Sequence, residues 1–147
     1  MAKLRLDQVA ELRFLHSQCR VALEFLGTTG QLPDTVVAEG LRGIDEGLEL
    51  QNLRGMRMAH RDMQILAREL QPVGMRQLDD AVRNASGRGL FTPEENANVI
   101  TGIVNRGRIR NEREYFLIRS RFDEIEGQEQ HVVEAQQLQV LLDAFGV

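Results

Sequence analysis

Among 147 residues there are one cysteine, no tryptophan, three prolines and a single lysine. A lone cysteine cannot close an internal bridge, which excludes a disulfide scaffold. At this length a chain buries roughly 68 to 70% of the surface its unfolded form exposes, so a core forms without disulfide or metal support. No apolar run approaches the roughly 18 residues that span a bilayer, and the N-terminus lacks the basic-then-apolar layout of an export signal. The expectation is therefore a cytoplasmic protein with no membrane role. Nor does any stretch alternate with the period of two that strands require. What is present, 42% hydrophobic residues, 27% charged residues and a formal charge of -4, suits one soluble domain over residues 1–147.

The dominant positive signal is helical. Leu12, Leu15, Cys19, Ala22 and Leu26 recur at spacings of three and four and predict a helix from about Leu4 to Leu26. Gly27-Thr28-Thr29-Gly30 ends it, and Pro33-Asp34 opens the next, proline suiting the first turn and Asp receiving free amides there. Val37, Leu41, Ile44 and Leu48 carry the second stripe, weakened by Gly40, Gly43, Gly47 and Gly55 at about 1 kcal/mol each relative to Ala. From Asn52 to Leu70 the stripe is Met56, Ala59, Met63, Leu66 and Leu70. Pro72 and Gly74 close it before a shorter helix with Met75, Leu78, Ala81 and Val82.

Thr92-Pro93-Glu94-Glu95 combines an N-cap hydroxyl, proline at the first helical position and Glu three residues after the cap, and so starts a helix. Ala97, Ile100 and Val104 line its face as far as Gly107. Asn111 and Glu114 again have cap spacing, so a break near Gly107 and one continuous helix both fit the pattern. Tyr115, Ile118, Phe122 and Ile125 share the next face, Gly127 stops it, and a final helix occupies 128–145. The expected fold is all-α, a compact helical bundle of six or seven helices.

Sliding the sequence by 59 positions lays residues 12–68 on 71–127. Eight positions are then identical, at Gln18, Ala22, Gly30, Ala38, Gly43, Ile44, Asn52 and Arg54 with their counterparts. Two pseudo-repeated helical units with a C-terminal helix outside them would produce this pattern. Two amphipathic stretches that merely share periodicity would also produce much of it.

Residues able to do chemistry are sparse. Met56, Met58, Met63 and His60 could suit soft copper, yet Met56 and Met63 continue an apolar stripe in which methionine is ordinary core filler. A di-iron carboxylate site needs Glu-x-x-His on two helices, and none of the three histidines has that partner. His131 and Glu134 lie one turn apart without a second pair. Gly107-Arg108-Ile109 has a calcium-loop echo, but Gly102, Val104 and Arg106 would supply no carboxylate ligand. Cys19 sits on an apolar face, where a thiol is a poor nucleophile, and His16 three residues away lacks a third orienting residue. Neither Gly27–Gly30 nor Gly87-Arg88-Gly89 forms a phosphate loop or a dinucleotide fingerprint. No cofactor, metal or small-molecule substrate is indicated, and the chain reads as a non-enzyme.

Surfaces remain. After Arg121 there is no basic residue, while Asp123, Glu124, Glu126, Glu129, Glu134 and Asp143 carry six negative charges, leaving residues 1–121 at +2. Just before that acidic segment, Arg106, Arg108, Arg110, Arg113, Arg119 and Arg121 form a strip that could neutralise phosphates, as in a nucleic-acid-binding subunit of a nucleoprotein complex. The same strip could pair with the neighbouring acids. The last helix has Leu138, Leu141 and Phe145 on one side and Val133, Val140 and Ala144 on another, with Leu142 outside both. A helix apolar on several sides must be buried on several sides. The sequence thus points to an interaction or assembly protein that self-associates or docks on a protein partner through Val133, Leu138, Val140, Leu141, Leu142 and Phe145, with nucleic-acid binding as the alternative.

Overall fold

Helix boundaries follow the local capping chemistry. In a computed structural model describing residues 3–145, α1 spans Leu6–Thr28, α2 Asp34–Glu49, α3 Leu53–Arg68, α4 Pro72–Ser86, α5 Pro93–Arg106, α6 Glu112–Ile125 and α7 Val132–Ala144. A single 3-10 turn, Glu129–His131, precedes α7, and no strand occurs among the described residues. The fold is all-α. Thr92 Oγ1 accepts the Glu95 N–H at 3.1 Å, and Asn52 and Asn111 cap α3 and α6 by accepting the N–H groups of Gly55 and Glu114. Gly107, at φ 83°, adopts the left-handed conformation that terminates α5, so the helix does break there. Two local expectations shift. Pro33 takes the N-cap of α2 without a side-chain hydrogen bond, and Pro72 opens α4 at its first turn rather than closing α3.

The chain, read from its sequence as one domain, divides into two compact units, Met1–Leu90 and Phe91–Val147. In the first unit α1 is the central element and packs on α2, α3 and α4. Leu12, Cys19, Ala22, Leu23 and Leu26 of α1 are buried with Leu53, Met56, Met63 and Ala67 of α3 and Leu78 and Val82 of α4. Two buried glutamines fasten the loop after α4. Gln18 Nε2 donates to the carbonyls of Arg88 and Gly89, both at 3.0 Å, while its Oε1 accepts from His60 Nε2 at 2.7 Å. Gln64 Nε2 donates to the Leu90 carbonyl at 3.0 Å, and Asp79 Oδ1 accepts the Leu90 N–H at 3.2 Å. Buried amides cost free energy unless bonded, so this loop is a fixed part of the unit.

In the second unit Ile100, Ile103, Ile109, Ile118, Phe122, Ile125, Leu138, Leu141 and Leu142 form one core. The frames 12–68 and 71–127 begin their second and third helices 59 residues apart, at Asp34 and Pro93 and at Leu53 and Glu112. The later frame, however, straddles the boundary between Leu90 and Phe91.

Candidate interaction surfaces

The arginine strip is divided in its use. Arg106 and Glu114 form a half-buried ion pair, and Arg106 also donates to the Arg108 carbonyl at 2.8 Å. Glu114 accepts the Arg110 N–H at 2.7 Å as well, so this carboxylate closes the α5–α6 loop instead of completing a reciprocal cap. Arg121 meets Glu134 through two parallel bonds of 2.8 and 3.0 Å. That fork holds the Glu134 carboxyl below the usual 4.5 and raises the guanidinium further. Arg119 pairs with Asp123 at 3.3 Å and lies over the Phe122 ring. Arg113 is exposed, as are Arg108 and Arg110, whose guanidinium groups meet no carboxylate among the described residues.

The six residues proposed as an apolar interface separate just as clearly. Leu138 is 0% exposed, and Leu141 and Leu142 are each 6% exposed, all three within the core of their own unit. Phe145 is half-buried and stacks on Tyr115 at 5.2 Å. Only Val133 and Val140, 69% and 68% exposed, are available to a partner. They lie seven residues apart on one ridge, which Ala144 continues.

A second surface, unforeseen from the sequence, lies in the first unit. Between α1, α2 and α3 is a half-open groove of about 290 Å³. Gly40, Gly43 and Gly47 of α2 and Gly55 of α3 line it, above Cys19, Met56 and Met63. A Cβ added at Gly43 would meet nothing within 4 Å, whereas at Gly40 it would come to 3.1 Å from Leu23. Gly40 therefore serves the close approach of α2 to α1, while Gly43 leaves open space. Val36, one turn before Gly40, and Leu50, one turn after Gly47, are exposed; Met58 and Ile65 are exposed on α3 but do not line the groove.

The charged residue that lines the groove is the exposed Asp62, and further charges lie outside it. Glu39 and Glu46 flank Val36, Gly43 and Leu50; Arg54, Arg61 and Arg68 alternate with Met58 and Ile65 at spacings of four and three. All five of these charged residues are exposed. The sequence signal for the groove was the glycine series. Read only for helix propensity, those glycines look like weaknesses.

Elsewhere the polar chemistry is quiet. Cys19 is fully buried, and its thiol is pushed up to about 12, first by burial and then by the charge of Asp62. His16 faces away from it in bonding terms, donating from Nε2 to Asp45 Oδ1 at 2.7 Å. Among the described residues no three His, Cys, Asp or Glu side chains gather in a way that could hold a metal ion, and no helix is long and apolar enough to cross a membrane. No family model matches the chain, and neither a curated protein nor a solved structure matches it.

Proposed function

We propose that this chain is a non-enzymatic assembly protein that associates with copies of itself, or docks on a protein partner, through exposed apolar helix faces. One observation carries the reading. Of the ten large hydrophobic side chains exposed among the described residues, three, Val132, Val133 and Val140, lie on the single helix α7. Scattered exposed apolar residues are ordinary on a soluble protein, whereas apolar residues gathered on one short helix mark a place where another surface docks.

Phosphate binding has weaker support. Arg106, Arg119 and Arg121 are engaged by Glu114, Asp123 and Glu134. Freeing each for a phosphate would leave a carboxylate behind, which offsets the gain. Sedimentation equilibrium up to several hundred micromolar tests the proposal: a mass rising with concentration above 16.7 kDa is expected. A species fixed at that mass throughout removes self-association. Binding to arbitrary duplex or single-stranded DNA that falls steeply with salt would favour the alternative.

A further inference from the structure

We infer that the outer face of α3, turned away from the groove, receives the exposed α7 ridge of a second copy, so that the chain associates through two different surfaces. This inference rests on the assembly reading above and names its geometry.

The receiving face is built by α3 alone. Met58 and Ile65 are both exposed and lie seven residues apart, which places them on one side of the helix about 10.5 Å from each other. Arg54 stands four residues before Met58, and Arg61 four before Ile65, so each apolar side chain has an arginine one turn away on the same side. Both arginines are exposed, and neither makes an ion pair among the described residues. The face therefore offers two apolar side chains and two uncommitted positive charges.

The α7 ridge is its complement in spacing and in sign. Val133 and Val140 are exposed and again seven residues apart, and the short Ala144 continues them. After Arg121 the sequence has acids only. Glu134 is engaged by Arg121, but Asp143, three residues beyond Val140, and Glu129, four before Val133, are exposed at the two ends of the ridge. Gln139 donates to Asp143 at 2.7 Å, a neutral contact that leaves the charge in place. With the valines set against Met58 and Ile65, an acid reaches Arg54 in either direction of approach: Asp143 when the helices run antiparallel, Glu129 when they run parallel.

Other pairings lack this match. The groove carries Asp62, which repels an acidic ridge. An α3 face against its own copy sets Arg54 and Arg61 against the same arginines, and α7 against its own copy joins two acidic segments. A contact between two different surfaces leaves one of each open at the ends of an assembly, so it propagates unless it closes into a ring. A single helix of 13 residues covers less than the roughly 1,600 Å² of a standard interface, so the association belongs in the micromolar range or weaker.

The test uses two variants of the full chain, each altered only at exposed positions: Arg54→Glu with Arg61→Glu on the α3 face, and Val133→Gln with Val140→Gln on the ridge. Helical circular dichroism verifies that both are folded, and sedimentation equilibrium reads their mass. Each variant alone should self-associate about tenfold more weakly than the parent, and the parent should weaken as salt screens the charges. Mixed in equal amounts the variants should form a one-to-one heterodimer and nothing larger, because one retains only the ridge and the other only the α3 face. A parent chain that associates while either variant associates unchanged, or variants that fail to complement in the mixture, overturns the α3–α7 contact and leaves the assembly reading intact. A parent chain that remains monomeric overturns self-association itself.

Discussion

At the scale of single residues, backbone chemistry was the most legible part of this protein. Thr92, Asn52 and Asn111 cap helices because each needs only its own hydroxyl or amide and an N–H three residues on, a relation written entirely in local sequence. Gly107 is likewise a local matter. Gln51 is the exception. It holds φ 54° in the turn from α2 to α3, a left-handed conformation in which a Cβ crowds the following carbonyl. Nothing in its side chain announces this, since Gly or Asn is the ordinary occupant of such a position. Gln51→Gly should relieve the crowding and raise stability by about 1 kcal/mol, net of the added freedom of the unfolded chain. Urea unfolding followed by circular dichroism reads the change. A loss of stability would mean that the Gln51 side chain makes a contribution larger than its strain.

At the scale of elements, periodicity located the helices but could not say which neighbour covers each face. The α2 stripe of Val37, Leu41, Ile44 and Leu48 contains one buried residue, Ile44, the other three being half-buried. The α7 stripes fail in the opposite sense. Leu138, Leu141 and Leu142, which looked like surplus apolar surface, are consumed by Ile118, Phe122 and Ile125 within their own unit. This distinction predicts two outcomes on one helix. Leu142→Glu places a carboxylate at a site 6% exposed and should destabilise the second unit by roughly 3 kcal/mol or more, through lost packing and an unpaired charge. Val140→Glu, at 68% exposed, should change stability by no more than about 0.5 kcal/mol. Thermal melts of the two variants separate a core position from a docking position. Equal melting temperatures would contradict the burial pattern of α7.

At the scale of the whole molecule, the division into two units was hidden because no linker composition marks it: Leu90 and Phe91, on either side of the boundary, are both apolar. The charge, by contrast, divides with the units. Twelve basic residues face twelve acidic ones in the first, and six face ten in the second. Ion pairing in the second unit therefore carries more of its acid sensitivity, with Arg121–Glu134 the best-made pair. The Glu134 carboxyl is held below 4.5, chiefly by the hydrogen bonds from Arg121 and against the opposing effect of burial. A carboxyl depressed on folding stabilises the native state fully above its unfolded value and loses that contribution as pH falls through its folded value. Tyr115, the only tyrosine in a chain without tryptophan, stacks on Phe145 in this unit and gives a fluorescence signal from the second unit alone. Glu134→Gln should lower the stability read by Tyr115 by about 1 kcal/mol at pH 7, the magnitude of a well-formed partly exposed pair. The gap between parent and variant should narrow steadily once the pH passes below about 4.5. The helical signal from the first unit should keep its own acid profile, set in part by the exposed Glu11–Arg57 pair, whose carboxyl is depressed in the same sense. A gap that stays constant from pH 7 to pH 3 would show that Glu134 acts through shape and not through its charge.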